Sequence, residues 1–516
     1  MQILLLQYKR RTRLRVGLYI LLFTLLNSVP SHAQDSLFIT RSGSSLFLGD
    51  KPFYTVGVNC YYFQNLVAYG DTAHLEEVFQ EAKQLGVTTI RTWGFFDSPD
   101  STNTATIQFA PSRYNERGLK ALDYVIAKAK EYSIRLLIPL VNNWEEYGGM
   151  NQYVSWYADQ FPVSMKTSRQ IEQKIIHGAE GRFYRFLVAG TYTHDDFYTN
   201  TAIRKWYKDY ISMLANRINT VTSIQYKNDP TILAWELANE PRSSDPTGAI
   251  VEHWLDEMSS YLKSIDNNHL ISAGEEGLDI SDKDYSNLHS YNDQSWLFDG
   301  SGGVSFRRNI SLPHIDIASI HSYPDAWGLT GNQGILWLTD HNRIADDVRK
   351  PLILGEAGKW SQRNFYFDAL LNEAYLSTTA GVLLWQFVYD GRTNNDGYAF
   401  TYPADSALCD IIQIYALRFS TKGDDYTLPS RTELFPNYPN PFNNVTLIPY
   451  DLSISTHVRL VVYDASGRSL ATLVNQPQQS GHHLALFDAC GLSSGVYFIQ
   501  LVTGSNNDSR KMLLLK

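Results

Sequence analysis

The chain is short of cysteine, of net positive charge and of uninterrupted apolar sequence, and each shortage removes a class of function. Three cysteines, Cys60, Cys409 and Cys490, are spread over 516 residues. They are too few and too scattered for a disulfide framework or a thiolate zinc site. A single Cys60–Cys409 bridge would suit an oxidising compartment, but buried free thiols are the favoured reading. Lys and Arg number 44 against 53 acidic residues, a net charge of −9, and no strongly basic segment follows the first fifteen residues. A nucleic-acid partner is therefore not expected. No apolar run reaches the roughly 20 residues of a comfortable membrane span. No Gly-rich phosphate turn follows the first strand-like run, and no clustered metal-ligand spacing occurs, so neither a cofactor nor a metal is expected. Asp195 and Asp196 look like half of a metal site without the other half and read instead as a solvated cap ahead of the helix at Ala202.

What the chain does have is ring surface. Aromatic residues make up 13%, with 33 Tyr and 11 Trp, which suits stacking on flat apolar ligand faces. The start reads as an address. Lys9, Arg10, Arg11, Arg13 and Arg15 precede an apolar stretch over 16–26, and Ser31-His32-Ala33 is a small-x-small cleavage signal. A signal peptide over 1–33 is expected, and its removal takes five bases and no acid, leaving 39 against 53, a net −14. An anionic polymer is then a poor substrate.

From Pro52 to about Thr401, apolar runs alternate with helix-period segments. The runs cover 53–60, 87–95, 134–144, 232–240, 270–277, 317–323, 351–358 and 381–388. Eight such units predict a (β/α)8 TIM barrel, an α/β fold, over 34–422. Most runs end in polar or aromatic residues: Arg91-Thr92-Trp93, Asn142-Asn143-Trp144, Asn239-Glu240-Pro241, His321-Ser322-Tyr323, Gly355-Glu356 and Trp385-Gln386. In a barrel these ends converge on one mouth, so residues scattered over the sequence form one pocket.

Two carboxylates on different strands are what glycosidic cleavage requires, one protonated to serve the leaving oxygen and one ionised to attack carbon or activate water. Asn239 beside Glu240 can bond a sugar 2-hydroxyl, and Arg91 near Glu356 is expected to keep that carboxyl ionised and below its ordinary pKa, with Glu240 above it. Tyr323 can donate to the same carboxylate, and His321 can orient either partner. Singly, each residue has a plainer reading: Arg91 as a barrel salt bridge, His321 as packing, Trp385 as core, Glu240 as a solvated loop acid. Six strand ends with mutually compatible chemistry are harder to explain as packing.

The string Trp235-Glu236-Leu237-Ala238-Asn239-Glu240-Pro241-Arg242 resembles the acid/base signature of glycoside hydrolase family 5, and Leu354-Gly355-Glu356 resembles the nucleophile strand of that family. Ile90-Arg91-Thr92-Trp93, Asn142-Asn143-Trp144, Tyr147-Gly148-Gly149, Asp195-Asp196-Phe197-Tyr198 and the stretch 320–327 resemble its plant- and fungal-type endo-β-1,4-mannanases. The resemblance covers about residues 45 to 400. It implies Glu240 as acid/base and Glu356 as nucleophile of a retaining reaction. It also implies a substrate-binding shell of Arg91, Trp93, Asn143, Asn239, His321 and Tyr323, with Trp385 as the platform under the sugar, and a β-mannan-type polysaccharide as partner. The stretch 158–194 is longer than the corresponding loop of such relatives, and Gly94 and Ala357 depart from their pattern. These departures bear on subsite preference. A β-1,4-glucanase of the same family and a non-catalytic polysaccharide-binding surface protein are the alternative readings.

After Phe400 the composition shifts. A linker is expected over 423–434, and short alternating runs from 435 to 516 predict a small C-terminal β-sandwich. Its opening 436–443, its Val462-Tyr463-Asp464, its Leu492-Ser493-Ser494-Gly495-Val496-Tyr497 and its close at 511–514 resemble the C-terminal sorting domain of the type IX secretion system. That resemblance implies the secretion machinery as a partner and a secreted or cell-surface protein. The segment contains no Trp, which argues against a carbohydrate-binding module.

Overall fold

The computed structural model describes residues 37–161, 176–177, 183–184, 192–392, 396–422, 429, 431–437, 440–442, 445–489, 491–504 and 506–516. The expected signal peptide, most of the expected linker, most of the long 158–194 stretch and Cys490 lie outside the described residues.

Eight parallel strands form a barrel: β1 (Thr55–Asn59), β2 (Thr89–Arg91), β3 (Arg135–Pro139), β4 (Ile232–Glu236), β5 (Leu270–Ser272), β6 (Ala318–Ser322), β7 (Leu352–Ala357) and β8 (Gly381–Leu384). Their order in the sheet is β5-β4-β3-β2-β1-β8-β7-β6. A parallel bridge from Ser272 to Ile317 joins the two ends and closes the ring. Every residue of these strands is buried, as expected where side chains fill one face and helices cover the other. That is why they read as apolar runs rather than as alternating strands.

At least one helix follows each strand: α1 (Thr72–Gln84), α2 (Glu116–Glu131), α3 (Thr201–Asn216), α4 (Ala249–Ile265), α5 (Phe306–Ser311), α6 (Gly331–Asp347), α7 (Arg363–Leu376) and α8 (Ser406–Thr421), with Phe63–Ala68 in addition after β1 and Gly149–Gln160 and Asp196–Thr199 after β3. Local chemistry sets their limits. In α1 the buried residues Leu75, Val78, Phe79 and Ala82 follow helical spacing, and Asp71 caps the start by accepting from the His74 amide. Each large apolar side chain buried this way contributes about 1.5–3 kcal/mol, so Val78→Asp would detach that face. Thr330 and Gln333 form a reciprocal capping box on α6. The cap of α3 is Asn200, whose side chain accepts from the Ala202 and Ile203 amides. This corrects the reading of Asp195 and Asp196 as that cap. Asp195 instead accepts from the amide and hydroxyl of Ser244, tying its turn to the loop beyond β4.

An antiparallel meander of Ile39–Ser42, Ser45–Leu48 and Lys51–Phe53 precedes the barrel. Its Ile39 and Leu46 pack with Leu137, Leu233, Leu270, Ile353 and Leu383 of the strands. They seal the N-terminal end of the barrel and leave the opposite end for chemistry. Cys60 and Cys409 are buried free thiols.

The C-terminal segment forms two antiparallel sheets. One holds Glu433–Leu434, Val445–Leu452 and Gly481–Asp488, and the other Ser469–Gln478, Thr456–Asp464, Gly495–Val502 and Asn507–Leu514. Val458, Leu460 and Val462 on one strand and Tyr497, Ile499 and Leu501 on another enter a separate apolar core with Tyr450, Met512 and Leu514. The period of two in these positions is the sandwich pattern. Among the described residues, no helix is long and apolar enough to cross a membrane.

Candidate active site

The strands are shorter than the apolar runs that announced them, and the surplus residues build the mouth. The run 134–144 yields β3 only as far as Pro139, and 232–240 yields β4 only as far as Glu236. A parallel bridge between Asn142 and Asn239 carries both chains onward. Glu240 then turns into the left-handed region at φ 53°, a conformation costly for a non-glycine residue and typical of sites where surrounding structure fixes a functional side chain. Register shifts interrupt the pairing of β7 with β6 between Ile320 and His321, and with β8 between Leu354 and Ala357. Irregularities of this kind re-aim side chains, and here they flank His321 and Glu356.

Arg91, at the end of β2 and fully buried, organises the floor. Its Nε donates to Glu236 at 2.5 Å, its Nη1 to Glu356 at 2.5 Å and to Asn59 at 3.3 Å, and its Nη2 to Asn239 Oδ1 at 2.7 Å. Asn239 is oriented from the other side by donating to Asn142 Oδ1 at 3.0 Å. Tyr323 Oη donates to the second oxygen of Glu356. Gly358 permits that approach, because a Cβ there would sit 2.4 Å from the Tyr323 ring. Glu240 accepts from the Trp144 indole at 2.5 Å and lies 2.6 Å from His321 Nδ1. The same nitrogen is 3.6 Å from Glu356. Burial pushes His321 below its ordinary pKa, against the raising influence of Glu356, and its Nδ1 faces both carboxyl groups, within hydrogen-bond distance of Glu240.

One oxygen from each of Glu240 and Glu356 and one nitrogen of His321 all lie within 4.8 Å of one another. Among the described residues this is the cluster whose composition could hold a cation. With the Arg91 guanidinium already on Glu356, the trio has the character of a carboxylate pair linked by a histidine. The expectation that Glu356 is held below its ordinary pKa is corrected. Removal from water raises it, and His321, Arg91 and Tyr323 offset that only in part.

The remaining sequence-derived positions divide into wall and support. Trp385, directly after β8, is half-buried, stacks on Tyr61 at 5.3 Å and 8° between planes, and donates through Nε1 to Asp396 at 2.9 Å. Trp93 is buried, with its ring 5.0 Å from that of Tyr61 and tilted against it. Asn143 is also buried, and its Oδ1 accepts from the Arg242 amide at 3.2 Å, bracing the loop that carries Glu240. Sequence reasoning missed Glu236 as the second anchor of Arg91, the Trp144 indole on Glu240, and Tyr61 and Asp396 around Trp385. It also missed the buried pair in which Arg242 meets Glu276 at 2.6 and 2.7 Å while its guanidinium covers the Trp144 ring at 5.2 Å. Glu236 and Trp144 carried a signal, since each ends or extends a strand run already read as mouth-forming. Asp396 and Glu276 carried none.

Residues 36–372 match the model of the GH family 5 beta-mannosidase-like domain. The chain belongs to glycoside hydrolase family 5. Within this family 5 hydrolase, residues 437–515 match the secretion system C-terminal sorting domain. The chain is 34% identical over 409 residues to mannan endo-1,4-beta-mannosidase 3 of Arabidopsis thaliana, covering 74% of this chain and 90% of that one. It is 32% identical to mannan endo-1,4-beta-mannosidase 4 of Solanum lycopersicum, covering 76% and 94%. Among solved structures, the endo-1,4-beta-mannanase of Rhizomucor miehei superposes with a TM-score of 0.60 at 30% identity over 74% of this chain and 99% of that one. The endo-beta-1,4-mannanase of Thermotoga petrophila does so with a TM-score of 0.63 at 27% identity, covering 90% and 98%.

Proposed function

We propose that this family 5 hydrolase is an exported endo-β-1,4-mannanase that cuts internal bonds of mannan, glucomannan and galactomannan by double displacement, with retention of anomeric configuration. The observation that carries the reading is the Glu240–Glu356 pair, whose nearest oxygens lie within 4.8 Å at the barrel mouth. Retaining enzymes place their two carboxyl groups about 5–5.5 Å apart and inverting ones about 6.5–9.5 Å. Glu356, ringed by donors from Arg91 and Tyr323, is the nucleophile that forms an ester with the anomeric carbon. Glu240 protonates the departing oxygen and then takes a proton from the water that hydrolyses the ester.

His321, whose Nδ1 stands 2.6 Å from Glu240 and 3.6 Å from Glu356, orients the two carboxyl groups as their charges exchange. Asn239 keeps a second amide proton for the sugar 2-hydroxyl, a contact that strengthens in an oxocarbenium-like transition state. Trp385 lies under the sugar at the cleavage point, while Trp93 and Asn143 hold the wall and the acid/base loop in place. The relatives named for mannan support the substrate class. The leader over 1–33 and the sorting-domain match support export to the cell surface or medium.

Reducing ends released from mannan, glucomannan and cellulose test the reading, together with NMR of the first-formed anomer. Preferential release from mannan with the β-anomer appearing first supports it. Cellulose preference would make the chain a β-1,4-glucanase, inactivity on all three a binding protein, and an α-anomer first would remove the double displacement.

A further inference from the structure

Trp360 is a large aromatic side chain that the mechanism leaves unused. It follows β7 by three residues and is 47% exposed, yet it is held on several sides. Its amide donates to Asp325 at 2.8 Å, and its indole Nε1 donates to the Asp396 carbonyl at 2.9 Å. One face stacks on Tyr398 at 5.0 Å and 22° between planes. Gly397, at φ 78°, leaves room for the ring, since a Cβ there would meet the indole at 3.2 Å.

An exposed indole normally gains rotamer freedom in water; one fixed this firmly has already met the ordering cost that a ligand would otherwise impose. The anchor is also shared. Asp396 accepts the Trp360 indole on its carbonyl and the Trp385 indole on its carboxylate. Tyr398, beneath Trp360, meets Tyr323 edge-on at 5.0 Å. The ring is thus built into the same framework as the platform and the nucleophile's donor.

We infer that Trp360 is the platform of a further sugar-binding subsite on the non-reducing side of the cleaved bond, stacking a ring of the β-1,4-linked chain beyond the one over Trp385. The side follows from the pair of carboxylates and rests on the proposed function. The general acid stands at the leaving oxygen, so the departing part of the chain runs past Glu240, Trp144 and Arg242. The retained part runs the other way, over Trp385 toward the loop that carries Trp360 and Asp396. The ligand class is a pyranose with an apolar face, which an indole accepts through ring surface and not through hydrogen bonds.

The test compares the full chain with Trp360→Ala and Trp360→Phe on mannotriose through mannohexaose, with cleavage in 18O-water to assign each fragment. The expected result is a fall in kcat/KM for Trp360→Ala that grows with chain length, about tenfold larger on mannohexaose than on the shortest substrate cleaved. Cleavage should move toward bonds with fewer sugars on the non-reducing side, and Trp360→Phe should keep most of the wild-type pattern. No fall, or an equal fall at every length, overturns the subsite. A shift toward fewer sugars on the reducing side overturns its placement. Should the wild type cleave cello-oligosaccharides instead, the substrate reading fails by itself, and the same ladder in that series decides the subsite by the same criteria.

Discussion

Arg91→Met is the most informative perturbation of the mouth, because it removes one cation from two buried carboxylates while nearly keeping volume. Arg91 is inaccessible to solvent and pairs with Glu236 and Glu356, each at 2.5 Å. Deleting one partner of a buried ion pair costs about 3–5 kcal/mol, and with two carboxylates orphaned the upper end is expected near neutral pH. The sign of the pH dependence follows from burial. Without Arg91 the folded-state pKa of Glu356, already raised by burial, rises further above its unfolded value. The penalty is then full above that raised pKa and fades as pH falls through it, when Glu356 becomes a neutral acid. Denaturant midpoints followed by Trp fluorescence should therefore separate wild type and variant widely at pH 8 and much less at pH 5. Activity near neutrality should drop by roughly 10²- to 4 × 10³-fold, the same energy converted at about 1.4 kcal/mol per factor of ten, because the ionised form of Glu356 loses its cation. Adding Glu236→Gln should recover part of the stability and none of the activity, since Glu356 still lacks its cation. A variant that unfolds like the wild type, or one whose deficit grows toward acid, would refute the argument.

Glu356→Ala should abolish hydrolysis of mannan, with azide restoring turnover of an activated aryl glycoside to a product of inverted configuration; Glu240→Ala should spare activated aryl glycosides relative to mannan, and azide should give the retained product. Product configuration by NMR decides, and the reverse pattern would exchange the two roles. Burial raises Glu356 above its ordinary value, so the acidic limb of kcat/KM should lie above about 4.3, the ordinary Glu pKa, with activity lost as pH falls through it. Tyr323→Phe, which removes a donor to the ionised form, should move that limb upward, and an unmoved limb in the pH profile would count against Glu356 as its source. Truncation after Asp425 should leave specific activity intact while the protein accumulates in the periplasm of its native host; an inactive barrel would make the β-domain part of the catalytic fold, and normal secretion would show that it is not the export signal.

The barrel was legible because its eight strands are buried on both faces, which writes them into the sequence as apolar runs, and because helices such as α1 bury residues at plain helical spacing. The mouth was legible because polar residues end those runs. What stayed hidden depends on chain crossings that no local pattern encodes. Arg242 and Glu276 are 34 residues apart, and Glu276 sits in an irregular stretch after β5 with no periodic neighbour to mark its direction. Asp396 lies in a loop whose composition is that of any turn, yet it holds two indoles. The pKa of Glu356 was misjudged for a related reason. The sequence says which charges can reach a carboxyl, but not how completely water is removed from it, and here removal of water outweighs the cation.

Glu236 and Glu240 sharpen the point, since on β4 spacing they share a face and either could be the acid. Glu236 ends the strand, has no solvent exposure and is committed to Arg91. Protonating it would strand the guanidinium that holds the nucleophile. Glu240 stands beyond the strand, retains 8% exposure, and meets an indole N–H and a histidine whose pKa burial lowers. Glu236 is thus tied to the guanidinium, whereas Glu240 meets an indole and an imidazole that can contact it in either protonation state. We therefore assign the acid/base role to the carboxyl that the chain places past the end of its strand, and the left-handed turn at that residue is what puts it there.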